Sequence, residues 1–337
     1  MMPISEQFAA EASLELQFAL NAARRASLLV RQVQAELVTP ALTKDDRSPV
    51  TVADFAAQAL VGRLLAETFP QDWLVAEEDS TALGAPEAAR TLDQVTYFVR
   101  RALPSATPDK VCAWIDHKRT ETAERFWTLD PIDGTKGFLR GDQYAIALAL
   151  VVVGRIEIGV LGCPNLTEAH RPDLGGPGSL VVAVRGEGAW TTSLASPGEY
   201  QRLSVSTQTN PTQARLLRSF ESGHTNVSQI DIFAQALGIQ AEAVLMDSQA
   251  KYAVLAAGKG DLLLRLLSAA QPNYREKIWD QAAGSLVLEE AGGRITDLDG
   301  VTLDFTTGRS LRNNRGILAS NHALHAAALQ ALRQIGA

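Results

Sequence analysis

The first part of the chain carries a helical pattern. Between Glu6 and about Val38, apolar residues recur every three or four positions, and the polar positions between them carry charges of both signs. This spacing predicts a long amphipathic helix that packs on a globular core rather than on a membrane surface. A second helix is predicted from Val52 to about Glu67, and Pro70 follows closely, as is common after a helix end.

Strand patterns dominate the middle of the chain, where short runs of β-branched and large apolar residues are bounded by glycine and proline. Gly154 and Arg155 separate two of these runs and predict a tight hairpin. The weak periodicity between Ser80 and Arg125 instead predicts short helices and loops. The predicted strands are Trp73 to Ala76, Phe126 to Leu129, Ala145 to Val153, Ile156 to Leu161 and Ser179 to Val184.

Strand-like and helix-like segments alternate beyond a small and polar stretch that begins at Ser193. A length of 337 residues suggests about two domains, at roughly 100–200 residues each. We therefore place a domain boundary at this stretch, which divides the chain into residues 1–192 and 193–337. The pattern alone supports a mixed α and β fold. The later segments are Ala243 to Leu245, Ala250 to Ala257, Asp261 to Leu266 and a helix from about Asp280 to Ala291.

The charge and the cysteines exclude several classes of function. With 31 lysines and arginines against 38 aspartates and glutamates, the net charge is −7, which disfavours polymeric nucleic acid and anionic lipid as partners. Cys112 and Cys163 form no Cys-x-x-Cys pair, so neither a zinc ribbon nor a disulfide scaffold is expected. The longest apolar stretch, Ala145 to Val153, is too short to cross a bilayer, and the N-terminus does not resemble a secretory signal. We therefore expect a cytoplasmic protein without a membrane partner.

The most informative segment runs from Asp130 to Thr135 and reads Asp-Pro-Ile-Asp-Gly-Thr after a strand pattern. Pro131 supports a bend that brings Asp130 and Asp133 towards one point. Two adjacent carboxylates repel each other unless a proton or a cation intervenes, and oxygen ligands without nearby histidine or cysteine favour Mg²⁺ or Mn²⁺. Gly134 permits close approach of the backbone to a ligand, and amides at the start of a following turn or helix can hold phosphate oxygens. The alternative is an Asp-rich turn that caps a helix.

Further acidic residues could complete such a site, although each also has a purely structural explanation. Glu77 and Glu78 end the strand-like run from Trp73, where an exposed pair at a strand end is the alternative. Asp54 lies in the first turn of a predicted helix, where its negative charge could interact favourably with the helix dipole. Asp280 could cap the helix that it begins. Taken together, these acids favour a site for a divalent cation.

These residues resemble the signatures of the inositol monophosphatase superfamily of Mg²⁺-dependent, lithium-inhibited phosphatases. The resemblance rests on Asp-Pro-Ile-Asp-Gly-Thr at 130–135, Glu-Glu at 77–78 and Trp-Asp-Gln-Ala-Ala-Gly at 279–284. Within the superfamily, the chain is most similar to the 3′(2′),5′-bisphosphate nucleotidases, from about Arg25 to about Asn321. The motifs of that subfamily stand here as Lys-Gly-Phe-Leu-Arg-Gly at 136–141, Ser-Pro-Val-Thr at 48–51, Gly-Cys-Pro-Asn-Leu at 162–166, Ser-Gln-Ala-Lys-Tyr at 248–252 and Glu-Lys-Ile-Trp-Asp at 276–280.

The resemblance implies an α/β fold, a layered α-β-α-β-α sandwich, with an α+β N-terminal domain, an α/β C-terminal domain and the site between them. It also implies two or three Mg²⁺ ions per site. Asp54 and Thr135 match the positions that orient and deprotonate the attacking water. The implied metal ligands are Glu77, Asp130, the main-chain carbonyl of Ile132, Asp133 and Asp280. The residues implied to bind substrate are Gly134, Thr135, His224, Ser248, Lys251 and Arg265.

The implied substrate is a small bisphosphate nucleotide. The expected reaction is hydrolysis of the 3′-phosphate of adenosine 3′,5′-bisphosphate to give AMP, with 3′-phosphoadenylyl sulfate as a second candidate substrate. The alternatives are an inositol phosphate or fructose bisphosphate phosphatase, and a nucleotide sensor without turnover. A phosphatase of the haloacid dehalogenase type would need Asp-x-Asp-Gly-Thr, whereas two residues separate Asp130 from Asp133. The oligomeric state stays open, with a monomer slightly favoured.

Overall fold

The computed structural model describes residues 12–37, 48–118, 123–219, 227–267 and 271–337. Two long helices, α1 (Leu14–Leu37) and α2 (Ser48–Thr68), pack against each other at the start of the chain. Alanine is common among the buried residues of both helices, so their backbones come close together. Both predicted helices are confirmed, although α2 begins at Ser48 rather than Val52 and the first predicted turn of α1, at residues 6–11, lies outside the described residues.

Seven strands form the larger sheet. The strands of this part of the chain are β1 (Trp73–Ala76), β2 (Arg125–Asp133), β3 (Ala145–Val152), β4 (Arg155–Cys163), β5 (Leu166–Thr167), β6 (Arg171–Pro172), β7 (Ser179–Val184), β8 (Gly188–Ser193) and β9 (Gln201–Arg202). Their order is β1-β2-β3-β4-β7-β8-β9, while β5 and β6 pair as a separate ribbon. β1 runs parallel to β2, and the remaining neighbours are antiparallel.

The connection from β3 to β4 is the predicted tight hairpin, shifted by one residue. Val153 and Gly154 form it, and both have positive φ, 50° and 73°. Positive φ at both central residues matches the right-handed twist of the paired strands. Gly154 therefore keeps its predicted place in the turn, whereas Arg155 already belongs to β4.

Residues 80–115 are more regular than their weak periodicity predicts. Two short 3₁₀ turns, Ser80–Gly84 and Pro86–Ala88, lead into α3 (Ala89–Ala102) and then α4 (Pro108–Ile115). Both helices pack against α2, and Val95, Phe98 and Val99 of α3 are buried. Helix α3 is itself amphipathic, because Leu92, Val95, Phe98 and Val99 recur at helical spacing on the face that packs against the core, a signal that the prediction missed.

A second sheet of five strands follows. Its strands are β10 (Leu216–Arg218), β11 (Val244–Leu245), β12 (Leu262–Arg265), β13 (Arg294–Thr296) and β14 (Ile317–Ser320), in the order β11-β10-β12-β14-β13. The remaining helices are α5 (Thr135–Arg140), α6 (Val227–Leu237), α7 (Ala250–Ala256), α8 (Ala282–Glu290) and α9 (His325–Ile335). The predicted segments at 250–257, 261–266 and 280–291 are therefore α7, β12 and α8, each within two residues at its start.

Among the described residues, three hydrophobic cores lie between the layers of helices and sheets. The first core lies between the seven-stranded sheet and helices that include α1, α2 and α3. The second joins the other face of that sheet, α7 and α8 to one face of the five-stranded sheet, and the third joins the opposite face of the five-stranded sheet to α6 and α9. The predicted α-β-α-β-α sandwich is confirmed. The boundary at residue 193 stays a prediction, and the second core draws residues from both sides of it.

Candidate active site

Strand β2 brings two acidic residues to one cavity. Residues three apart in a regular strand point to opposite faces. Here the register shifts between Asp130, which pairs with Ala147, and Asp133, which pairs with Ala145. Asp130 and Asp133 consequently both line a cavity of about 330 Å³. Oδ1 of Asp130 accepts a hydrogen bond from the main-chain N–H of Ile132 at 3.1 Å, which holds the irregular segment in place.

Gly134 allows β2 to turn sharply into helix α5. Its φ is 90°, a conformation that residues with side chains rarely adopt. A Cβ at this position would also lie 2.8 Å from the Cβ of Ser248 and 3.2 Å from the carbonyl oxygen of Gln143. Gly134 therefore packs closely against the segments that carry Gln143 and Ser248. Thr135, the first residue of α5, follows this turn and lines the cavity with an exposed side chain.

Glu77 and Asp280 complete an acidic wall together with Asp130 and Asp133. Glu77 follows β1, which is parallel to β2 with Ala76 opposite Leu129, so Glu77 lies beside Asp130 of β2. Glu77 is exposed and Glu78 half-buried, yet the dense protein around Glu77 and the charge of Glu78 raise the pKa of Glu77 to about 7. Burial and neighbouring carboxylates hold the pKa of Asp130 and Asp280 well above its ordinary value.

Asp54 lies behind this wall. The residues that line the cavity do not include it, and its side chain is 7% exposed. Burial raises its pKa well above the ordinary value, and the charges of Glu77 and Glu78 raise it further. Gln58, also on α2, fixes the neighbouring backbone, because its Nε2 donates to the carbonyl of Glu78 at 2.7 Å and its Oε1 accepts from the Glu78 N–H at 3.0 Å.

The acidic wall offers oxygen donors that are suited to a hard divalent cation. Carboxylates and the main-chain carbonyl of Ile132, which also lies at the cavity, are oxygen donors of the kind that Mg²⁺ and Mn²⁺ prefer. A cation would offset the repulsion that raises the pKa values of the acids. Within the described ranges, no group of three or more histidine, cysteine, aspartate and glutamate side chains is arranged as a metal site. The individual ligand roles therefore stay predictions.

Two basic residues line the same cavity. Lys251, on α7, is 5% exposed, and its Nζ donates to Oγ of Ser219 at 2.6 Å. Burial and the charge of Arg265 lower the pKa of Lys251 to about 8, although nearby acids oppose this shift. Arg265, at the end of β12, pairs with Glu276 at 3.0 Å. Burial works to lower the pKa of Arg265, but the charges of Glu276 and Asp280 outweigh it and hold the pKa above its ordinary value.

The structure brings together most of the residues predicted for the site. Ser248 lines the cavity with a φ of 67°, which is uncommon for a residue other than glycine. His224 lies outside the described residues. The predicted residues that line the cavity are Glu77, Asp130, Ile132, Asp133, Gly134, Thr135, Ser248, Lys251, Arg265 and Asp280.

Several residues that support the site were not predicted from the sequence. Glu276 and Gln249 stand inside motifs that were recognised, but only their neighbours were assigned roles. Glu276 is 4% exposed, and besides Arg265 it accepts a hydrogen bond from Nε2 of Gln281 at 3.0 Å. Arg309 lies outside those motifs. Its guanidinium stacks over the ring of Trp279, 4.5 Å from the ring centroid, and its Nη2 donates to the carbonyl oxygen of Glu77 at 3.2 Å.

Comparison with known proteins assigns the family. The profile of the inositol monophosphatase family matches residues 12–337. The chain belongs to the inositol monophosphatase family. A 3′(2′),5′-bisphosphate nucleotidase of Schizosaccharomyces pombe is 41% identical over 325 residues, covering 91% of each chain. 3′(2′),5′-Bisphosphate nucleotidase 1 of Candida albicans is 38% identical over 352 residues, covering 95% of each chain.

Solved structures of the family have the same fold. The chain matches an IMPase of Thermotoga maritima with a TM-score of 0.63 at 20% identity, covering 96% of this chain and 98% of the other. It matches SuhB of Mycobacterium tuberculosis with a TM-score of 0.62 at 22% identity, covering 95% of each chain. The predicted resemblance and fold are confirmed, and the names of the relatives agree with the predicted class of enzyme, a phosphatase. No helix in the described part of the chain is long and apolar enough to cross a membrane.

Proposed function

We propose that this chain removes the 3′-phosphate from adenosine 3′,5′-bisphosphate and releases AMP and inorganic phosphate. The observation that carries the proposal is that a single cavity is lined both by the acidic wall and by two basic residues, Lys251 and Arg265. A nucleotide with two phosphate groups can present one of them to the acidic wall and the other to these basic residues. The names of the 37–41% identical relatives support the same substrate.

The acidic wall is the proposed reaction centre. Glu77, Asp130, the Ile132 carbonyl, Asp133 and Asp280 would hold two or three Mg²⁺ ions. The inositol monophosphatase family is generally metal-dependent, which supports this assignment. When bound, divalent ions lower the pKa of coordinated water and stabilise charge on a phosphoryl group.

Thr135 and Asp54 have the proposed role of orienting the attacking water and accepting its proton. Thr135 is exposed to the cavity, and its hydroxyl can both accept and donate a hydrogen bond. Burial and the charges of Glu77 and Glu78 raise the pKa of Asp54, which makes its carboxylate a stronger proton acceptor than an ordinary aspartate. The amides of Gly134 and Thr135 would donate to phosphate oxygens at the sharp turn into α5.

Lys251 and Arg265 have the proposed role of binding the 5′-phosphate, with Ser248 and His224 contributing to the nucleotide site. Charge-assisted hydrogen bonds from lysine and arginine to phosphate are short and strong. Because Arg265 already pairs with Glu276, part of its charge is compensated within the protein. Lys251, whose Nζ contacts the neutral Ser219 hydroxyl, is therefore the main source of discrimination between bisphosphates and monophosphates.

Finer properties are part of the same proposal. 3′-Phosphoadenylyl sulfate carries the same 3′-phosphate and is proposed as a second substrate. The net charge of −7 supports a small nucleotide rather than a nucleic acid polymer as the partner. We propose a cytoplasmic protein, whose oligomeric state stays open with a monomer slightly favoured.

A substrate panel tests the proposal. Phosphate release is measured with and without Mg²⁺ from adenosine 3′,5′-bisphosphate, inositol 1-phosphate, inositol 1,4-bisphosphate and fructose 1,6-bisphosphate, each in the presence and absence of lithium. Mg²⁺-dependent preference for the nucleotide, suppressed by lithium, is the expected result. Preference for an inositol or sugar phosphate would contradict the assigned roles of Lys251 and Arg265, and no release from any compound would favour a sensor.

A further inference from the structure

Gln249 connects two acidic segments of the cavity. Its side chain is 1% exposed. Its main-chain N–H donates to Oδ2 of Asp133 at 2.7 Å. Its Nε2 donates to the carbonyl oxygen of Trp279, directly before Asp280, at 2.9 Å. A single residue thus holds the Asp133 carboxylate through its backbone and the Asp280 segment through its side chain.

The same side chain also fixes the start of α8. Oε1 of Gln249 accepts a hydrogen bond from the N–H of Gly284, in the first turn of α8, at 3.0 Å. The first N–H groups of a helix have no partner within the helix, so an external acceptor is needed when they are buried. Asp280 lies between Trp279 and this first turn, and Gln249 therefore holds the backbone on both sides of it.

The backbone around Gln249 is itself held in an uncommon conformation. The preceding residue, Ser248, has a φ of 67°, and its Oγ accepts from the N–H of Ala250 at 3.1 Å. Such conformations persist where the surrounding structure maintains them, and they are frequent at functional sites. The segment that carries Gln249 therefore has a defined position relative to β2 and α8.

We propose that Gln249 is a positioning residue that sets the separation of Asp133 from Asp280 and, through it, the affinity of the acidic wall for divalent cations. The inference rests on the proposed metal-dependent function. A side-chain amide suits this position because it supplies donors and an acceptor without adding a charge to the surrounding acids. Removing a residue that orients metal ligands typically weakens metal affinity about 10- to 100-fold.

The test is Mg²⁺ and Mn²⁺ binding to the full chain by isothermal titration calorimetry without substrate. Gln249→Met keeps the approximate length of the side chain and removes the side-chain hydrogen bonds to Trp279 and Gly284, while the main-chain bond to Asp133 remains. We expect the dissociation constant of the metal ion to rise at least about 10-fold. Wild-type affinity in the folded variant would overturn the proposal. Absence of binding by the wild-type protein would instead refute the metal-dependent function on which the proposal rests.

Asn314→Leu is the matched control. Asn314 is 3% exposed, donates to the carbonyl of Thr302 at 3.0 Å and accepts from the N–H of Asp304 at 2.8 Å. Its loss removes a buried amide outside the cavity, so we expect a lower melting temperature and unchanged metal affinity. A similar loss of metal affinity in Asn314→Leu would show that general destabilisation explains the effect, and would overturn the role of Gln249.

A second variant keeps the proposal testable if Gln249→Met does not fold. Gln249→Asn retains an amide, but the shorter side chain cannot reach both Trp279 and Gly284. We expect weaker metal binding and, in phosphate release, a higher Mg²⁺ concentration for half-maximal activity with kcat largely restored at saturating Mg²⁺. A kcat that stays low at every Mg²⁺ concentration, with unchanged metal affinity, would indicate a purely structural role.

Discussion

Lys251 is the residue that most directly separates two-phosphate from one-phosphate substrates in this account. Lys251→Met keeps most of the side-chain length and removes the charge from a position that is 5% exposed. We expect the variant to lose activity on adenosine 3′,5′-bisphosphate and to retain activity on adenosine 3′-monophosphate, which lacks the 5′-phosphate. The physical reason is that a buried ammonium interacts with a phosphate at a lower effective dielectric than in water.

The expected magnitude follows from that interaction. Two unit charges about 4 Å apart attract each other by about 4 kcal/mol at an effective dielectric of about 20. Arg265 remains in the variant and retains part of the attraction, so we expect a loss of about 2–4 kcal/mol, which corresponds to a decrease of about 30- to 1,000-fold in kcat/KM. For the monophosphate, kcat/KM should change less than about threefold, because Lys251 has no 5′-phosphate to contact.

The assay compares kcat/KM for the two substrates by phosphate release. Their ratio cancels differences in the amount of folded enzyme between preparations. Lys259→Met is the matched control, since Lys259 is exposed just after α7 and does not line the cavity. An equal loss on both substrates in Lys251→Met, or no loss on either, would refute the reasoning.

Three other positions and the pH provide further tests. Asp133→Asn should abolish Mg²⁺-dependent phosphate release with an unchanged circular dichroism spectrum, and near-wild-type turnover would remove Asp133 from the mechanism. Gly134→Ala should reduce kcat, because a φ of 90° is strained for alanine and the new Cβ would lie too close to Ser248; full activity would contradict this. Because the pKa of Lys251 is lowered to about 8, the kcat/KM preference for the bisphosphate should fall as the pH rises through about 8 and the charge is lost; a flat profile would contradict this. Burial lowers the pKa of His325 to about 4, so only the unfolded chain gains a proton as the pH falls below about 6.5. From pH 7 to pH 5, the free energy of unfolding in urea should therefore fall by about 2 kcal/mol more in the wild-type protein than in His325→Gln, and the same pH dependence in both proteins would contradict this cause.

The acidic wall could be predicted from the sequence because its residues stand directly after recognisable strands or before a helix. Glu77 follows β1, Asp130 and Asp133 end β2, and Asp280 precedes α8. A buried core or a simple turn does not usually need so many carboxylates at the ends of its elements. The four acids together therefore favoured a single cation site. The layered fold followed from the family motifs, whereas the hydrophobic pattern alone supported only mixed α and β structure.

The supporting contacts could not be predicted in the same way. Gln249 reaches Trp279 and Gly284 from 30 and 35 positions away, and Arg309 reaches Glu77 from 232 positions away. Local propensity contains no information about such pairs, because tertiary packing creates them. Helix α3 is different, because Val95, Phe98 and Val99 already have helical spacing in the sequence, and the prediction missed that signal.

The most direct test of the central claim is the identity of the nucleoside monophosphate formed from adenosine 3′,5′-bisphosphate. Chromatography or phosphorus NMR distinguishes adenosine 5′-monophosphate from the 3′-monophosphate. If the acidic wall holds the 3′-phosphate while Lys251 and Arg265 hold the 5′-phosphate, the product is the 5′-monophosphate, formed only with Mg²⁺. Formation of the 3′-monophosphate, or an equal mixture, would contradict this arrangement of the cavity.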